Sequence, residues 1–332
     1  MYLKPIHLLV FSCFASYLFS QQVKQIKAEN SSSPSILSIR HLNNPANSFT
    51  ADLAPVRYGE RIYFTSLQRD LGQGKKMSGI FSMNLDNTLR YETEINVNKK
   101  NFHVGSIALT PDARRLYFSL CNDNKPEQCE IWYRDREYEG GWSVPKKLSD
   151  EINLKGFTAT QPSVGWDAHL KKNVLYFVTD RPGGIGKKDI WCSPINWDGT
   201  FEKPFSLPFN TVEDDVTPYF NQAVQTLYFS SNGLKGLGRF DIFKTSRSNK
   251  EQWNRPQNMG RPFNTAYDDV YFSCHEYSQK AYLASNRPGS VCDCSFSEEN
   301  CFDLYEINFA EPLTSESLHQ SNQLLILLAK KQ

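Results

Sequence analysis

The chain has 332 residues, and its 37 Lys and Arg against 36 Asp and Glu leave a formal charge of +1. So even a balance supplies no broad basic field to attract nucleic acid or anionic lipid, and excludes a binder of either that works through bulk charge. Sixteen Tyr, 22 Phe and 6 Trp among 18 Gly and 17 Pro favour strands and turns over helices, an all-β composition.

Residues 1–20, MYLKPIHLLVFSCFASYLFS, place Lys4 before an apolar run and read as a secretory signal. The run is shorter than the ~20 apolar residues that a membrane-spanning helix needs. The expected chain is therefore exported, to the periplasm, the outer membrane or the medium, and is not transmembrane. A lipoprotein anchor at Cys13 is the weaker alternative, because Phe11 is bulky for such a cleavage site. Residues 21–34 read as a flexible linker. Beyond the signal the cysteines are Cys121, Cys129, Cys192, Cys274, Cys292, Cys294 and Cys301, an odd number that export allows to form disulfides.

From residue 35 onward the chain repeats itself. The copies are IYFTSLQRDLGQGKKMSGIF (62–81), LYFSLCNDNKPEQCEIW (116–132), LYFVTDRPGGIGKKDIW (175–191), LYFSSNGLKGLGRFDIF (227–243) and AYLASNRPGSVCDCSFSEENCFDLY (281–305). Their tyrosines, Tyr63, Tyr117, Tyr176, Tyr228 and Tyr282, lie 54, 59, 52 and 54 residues apart. This is slightly above the ~40–50 residues of a propeller blade and too long for a short helical solenoid. Each unit reads as four strands: an apolar strand, the Leu-Tyr-Phe strand, a variable hairpin into the third strand, and a fourth segment such as FEKPFSLPFN (201–210). The fifth unit lacks the fourth segment. A matching piece stands at the start, SPSILSIRHLNNPANSF (33–49), where Leu42-Asn43 resembles Phe209-Asn210 and Phe263-Asn264. The expected fold is a five-bladed β-propeller of four-stranded antiparallel blades over 35–310, its last blade closed by an N-terminal strand. Residues 311–332 form a tail with room for a short helix.

Gly233, Gly236 and Gly238 suggest a phosphate cradle at first sight, but RFDIFKTS reads as strand where a cradle needs a helix N-terminus. They are expected to supply the positive φ of a tight hairpin. The glycine-free copy places Cys121 and Cys129 at the two ends of its loop, within reach of a cross-strand disulfide. Cys292, Cys294 and Cys301 are expected to hold the longest loop by one internal bridge. Glu130, Asp189, Asp241 and Asp303 recur before the third strand and are expected to accept amides of the preceding loop. The pairs Asp214-Asp215 and Asp268-Asp269 read as turn residues between blades, with calcium as the sharper alternative. No other metal and no cofactor is expected.

The second-to-third hairpins and the links between blades share one face of the disc. It gathers the candidate partner-binding residues Arg181, Lys187, Lys188, Asn232, Lys235, Arg239, Asn286 and Arg287. The His residues lie scattered, without a hydrolase motif.

The patterns LYFSSN…G…DIF, NRPG and FNT followed by an Asp pair resemble PD40 repeats, the WD40-like, TolB-type propeller repeat. The arrangement is similar to the periplasmic propeller of OmpA-family outer-membrane proteins of Bacteroidetes, including a type IX secretion subunit. With no catalytic motif in view, the expected function is a non-catalytic scaffold for cell-envelope proteins, possible partners being outer-membrane or secretion machinery. Its alternatives are a carbohydrate- or peptidoglycan-binding module, then a polysaccharide lyase or glycosidase. No nucleic-acid partner is expected.

Overall fold

The Leu-Tyr-Phe triplets become the second strands of the blades because both of their faces are buried, as at Leu175, Tyr176 and Phe177. A computed structural model describes residues 36–43, 45–70, 76–86, 89–97, 101–248, 252–275, 278–291 and 301–310. The expected signal, linker and tail, and Cys292 and Cys294, lie outside the described residues. Strand β1 (Ile36–His41) precedes four complete blades. These are β2 (Asp52–Tyr58) to β5 (Arg90–Glu92) with β3 (Arg61–Asp70) and β4 (Lys76–Asn84); and β6 (Phe102–Leu109), β7 (Arg115–Asn122), β8 (Lys125–Asp135) and β9 (Lys146–Lys147). Next come β10 (Ala159–Asp167), β11 (Lys172–Thr179), β12 (Asp189–Ile195) and β13 (Phe205–Ser206), then β14 (Asp215–Asn221), β15 (Thr226–Ser231), β16 (Asp241–Ser246) and β17 (Gln257–Asn258). The fifth blade has β18 (Asp269–Cys274), β19 (Lys280–Ser285) and β20 (Asp303–Phe309), and β1 is its outer strand. Ile39 pairs with Ile307 and His41 with Tyr305, so the N-terminal strand closes the ring. Among the described residues no helix is long and apolar enough to cross a membrane.

Five apolar clusters fill the gaps between neighbouring blades; one joins Tyr176 and Val178 to Phe220 and Phe229, another Tyr228 to Phe272 and Phe309. The fourth strands are too short to cover the third strands, and one asparagine per blade completes the ladder. Asn264 accepts the Ile242 N–H through Oδ1 (2.8 Å) and donates Nδ2 to the Ile242 carbonyl (2.9 Å). Asn210 does the same to Ile190 (3.0 and 2.9 Å), Asn153 to Ile131 (2.8 and 2.9 Å) and Asn96 to Ile80 (2.7 and 3.1 Å). In the last blade Asn47 clamps Leu304 (2.6 and 3.0 Å). The residue equivalent to Asn210 is thus Asn47, four positions beyond the Asn43 expected from sequence.

Three of the four recurrent acids serve the hairpins; Glu130 instead pairs with Lys147 (2.6 Å) and accepts the Trp132 Nε1–H (3.1 Å). Asp189 accepts the Ile185 N–H (2.7 Å) and the Gly186 N–H (3.1 Å), Asp241 those of Leu237 and Gly238, and Asp303 that of Val291 (2.7 Å). Between blades, Asp215 accepts the Thr211 N–H (2.5 Å) and Asp269 the Thr265 N–H (2.6 Å). Burial pushes the carboxyls of Asp189, Asp215 and Asp269 above the usual range, against these bonds, which favour the anion.

The glycines differ from expectation in their reason. Gly233, Gly236 and Gly238 are not in the left-handed region. A β-carbon at Gly236 would instead collide with the Asp241 carboxylate, and one at Gly238 with the Tyr267 carbonyl. Close approach, not turn conformation, selects glycine here.

Asn264→Ala removes both clamp bonds and leaves the buried Ile242 N–H unpaired, while the Ile242 carbonyl keeps the Met259 N–H (3.0 Å), so urea denaturation should show a loss of about 1–3 kcal/mol. A loss below about 0.5 kcal/mol would mean that the clamp is dispensable. Gly236→Ala should cost about 1–3 kcal/mol through its clash with Asp241, whereas exposed Lys235→Ala should stay within about 0.5 kcal/mol.

Candidate functional site

The innermost strands β2, β6, β10, β14 and β18 ring the central channel, and each shifts register at a bulge. One residue per bulge is left-handed: Ala54 (φ 52°), Ser106 (46°), Gln161 (52°), Thr217 (53°) and Tyr271 (55°), none of them glycine. Such a conformation costs about 1–3 kcal/mol per residue and persists only where the surroundings over-determine it. They do so here through the N–H groups. Ser106 donates to Thr65 Oγ1 (3.0 Å), Gln161 to Ser119 Oγ (2.9 Å), Thr217 to Gln161 Oε1 (2.8 Å) and Tyr271 to Thr217 Oγ1 (3.3 Å). Each of these bonds runs to the preceding blade.

Gln161 Nε2 also donates to Tyr271 Oη (3.0 Å), joining blades that are not neighbours and so crossing the axis. Burial pushes the Tyr271 phenol up, against hydrogen bonds with Ser106 and Gln161. Ser106, Gln161 and Tyr271 line a cavity of about 460 Å³ on the loop face. The residues just after the bulges, Pro162 and Pro218 among them, line a second cavity of about 370 Å³ at the opposite end.

Hydroxyls dominate the walls of the loop-face cavity, from Thr65, Ser78, Ser119, Thr158 and Thr160, with Lys188, Asp214 and His103 as the ionisable groups and Phe240 as an aromatic wall. His103 Nδ1 accepts the Ser78 N–H (3.0 Å), which puts the neutral ring's proton on Nε2, donated to Asp123 Oδ1 (3.2 Å). Cys121 and Cys129, bonded to each other at 1.98 Å, lie on the same wall. A cup of preset hydroxyl and amide groups with one aromatic wall suits a polyhydroxylated solute. Among the described residues no group of three or more His, Cys, Asp or Glu could hold a metal ion.

The candidate residues divide. Lys188 lines the cavity, in a backbone bridge with Asp214. Asn232 accepts the Asp214 N–H (2.9 Å) and Asn286 that of Asp268 (2.8 Å), so both are hinges of the links between blades. Arg181 and Arg287 are not free for a partner. Arg181 donates to the carbonyls of Glu151 (2.7 Å) and Ile152, and Arg287 to that of Phe263 (2.8 Å) and to Asp269 (2.5 Å). Lys187 pairs with Glu213 (2.6 Å) on the surface, while Lys235 and Arg239 are exposed on the glycine hairpin. Cys301 is buried, and Cys192 is a buried thiol whose pKa burial raises. Sequence reading missed the bulge ring. Its one signal is the proline that follows Ala54, Gln161 and Thr217.

No family model and no curated protein matches the sequence. Among solved structures the fold is similar to CoXyl43, a GH43 β-xylosidase/α-arabinofuranosidase from a compost microbial metagenome in complex with xylotriose (TM-score 0.50, 12% identity, 84% of this chain and 94% of that one). It is similar also to the α-L-arabinofuranosidase of Lactobacillus brevis (0.51, 12%, 82% and 97%). A third likeness is to the catalytic domain of the GH62 α-L-arabinofuranosidase of Coprinopsis cinerea (0.51, 10%, 84% and 96%). At these identities the likeness is one of fold. It nonetheless overturns the resemblance to PD40 and TolB-type proteins, because the Leu-Tyr-Phe and Asn-Thr patterns answer to blade packing and not to lineage. The reading as a non-catalytic scaffold for envelope proteins, and with it the expectation of no enzymatic activity, is not kept: the propellers this chain is similar to are glycoside hydrolases.

Proposed function

We propose that the protein recognises a glycan at the loop-face end of its channel. The observation that carries the reading is the ring of Ser106, Gln161, Thr217 and Tyr271, held in strained backbone by bonds between blades beneath a hydroxyl-lined cup. Hydroxyls and amides keep spare donor or acceptor capacity after their internal bonds, so they can trade hydrogen bonds with a sugar without reorganising. Phe240 and Tyr271 supply apolar surface for a pyranose or furanose ring. An exported location, expected from residues 1–20, is compatible with such a ligand.

Hydrolysis of that glycan is the second reading, supported by the xylosidase and arabinofuranosidase neighbours. Glycosidases commonly flank the scissile bond with two carboxyl groups about 5–10 Å apart. Among the described lining residues Asp214 is the carboxylate, and Asp123 stands behind His103. Asp214 is therefore the residue on which hydrolysis would depend.

Calorimetry with xylo- and arabino-oligosaccharides should give saturable binding, and Gln161→Ala should weaken it about tenfold. Absence of binding across such a panel would sink the reading. Where binding is accompanied by release of reducing sugar, Asp214→Asn should abolish the release and shift affinity by less than about threefold. Unchanged turnover in that variant would exclude Asp214 as the catalytic carboxylate.

A further inference from the structure

The loop face carries a second feature, in residues that do not line the channel cavity. Ile185, Leu237 and Val291 occupy the same place in the hairpins of three consecutive blades, each donating its backbone N–H to the acid that opens the next strand, Asp189, Asp241 or Asp303. With the backbone held inward, the side chains stand out in solvent. The links between the same blades add Val212, Tyr267 and Phe49, and exposure across the six ranges from 41% at Val291 to 74% at Phe49. The two sets adjoin. A β-carbon on Gly186 would lie 3.1 Å from the Val212 carbonyl carbon, and one on Gly238 would collide with the Tyr267 carbonyl oxygen. The result is an arc of apolar tips on the loop face.

Basic residues flank two of these tips: Lys187 and Lys188 follow Ile185, and Lys235 and Arg239 bracket Leu237. The acids on the facing links are Glu213, paired with Lys187, and Asp214 and Asp268. The tips are set apart by polar loop backbone and form no continuous face of the kind that packs against another protein. Separate aliphatic tips, two of them with Lys or Arg two residues away, match the demands of a bilayer interface, where apolar groups enter the headgroup layer and long cations reach lipid phosphates.

We infer that this arc seats the loop face on an anionic lipid surface. Ile185, Leu237 and Val291 enter the headgroup layer, and Lys235 meets the phosphates, joined by Lys187 where a phosphate takes the place of Glu213. The inference needs no sugar and stands apart from the glycan reading.

Flotation of the full chain with vesicles of phosphatidylcholine and phosphatidylglycerol in equal parts tests it. The wild type should float with these vesicles and less with phosphatidylcholine alone. The triple variant Ile185→Ser, Leu237→Ser, Val291→Ser should lose about tenfold or more of its partitioning. Trp197→Ser, at an exposed turn of the opposite face, should leave it unchanged. All four side chains are exposed, and circular dichroism should confirm that the variants keep the fold. A wild type that stays with the protein fraction overturns the inference. So does a triple variant that floats as well as the wild type, since attachment would then lie in the terminal segments. Equal flotation with neutral vesicles overturns the anionic partner, and self-association lost in the triple variant without vesicle binding would assign the arc to a second copy of the chain.

Discussion

The structure depends on one interaction repeated five times, the asparagine that stands in for a missing strand. The outer segment of each blade donates an N–H to a third-strand carbonyl, as Met259 does to Ile242 (3.0 Å), but leaves the N–H of that same residue to the asparagine, and a buried N–H left unpaired costs about 1–3 kcal/mol. A carboxamide is the side chain that reproduces a peptide group, donor and acceptor together. Its backbone already belongs to the link leading to the next blade, so the bond that finishes one sheet also fixes where the following sheet begins. Arg181 and Arg287 reinforce the same links by gripping the carbonyls just before Asn153 and Asn264. Closure by β1 follows the same rule, with Asn47 clamping Leu304 across 257 residues of sequence.

With the blades fixed in this way, strain can be held at the axis. Four of the left-handed residues, Ser106, Gln161, Thr217 and Tyr271, donate their N–H groups to hydroxyl or amide oxygens of the preceding blade, so these bulges are held by a neighbour. The ring is therefore a property of the closed propeller. Polar groups that cannot relax are what a binding floor needs, because a ligand then meets its partners already oriented.

The sequence made the blades legible because burial on both faces of the second strand demands Leu-Tyr-Phe or its equivalent in each copy, and because one blade lacked its last segment. The position of the closing clamp was less so. Leu42-Asn43 matches Phe209-Asn210 by residue type, but the clamp needs the residue four further on, after the chain has left β1. The bulge ring was hidden because its five side chains share a conformation and not a residue type. Arg181 and Arg287 read as free surface cations, since nothing local shows that a guanidinium two residues past a strand meets carbonyls from the preceding link. The acids before the third strands were legible at Asp189 and Asp241, which accept amides three and four residues earlier, and at Asp303, which reaches back twelve residues to Val291, but not at Glu130, which turns to Lys147. Function was the least legible. The repeat pattern is what the packing requires, and packing is shared by propellers with unrelated chemistry.

One face concentrates everything that is not packing. The second-to-third hairpins and the links must meet above each blade junction, and the acids that hold their amides leave the intervening side chains nowhere to go but outward. Apolar residues at those tips gain nothing for the fold, and substitution by a polar residue would cost it little. Their recurrence at Ile185, Leu237 and Val291 is thus not explained by stability, in contrast to the glycines beside them, which the carboxylates of Asp189 and Asp241 require. The same hairpins rim the hydroxyl-lined cup, so whatever the tips rest on lies next to the mouth of the channel. A glycan held there would be met close to that surface, and the disc would present its axis to it end-on.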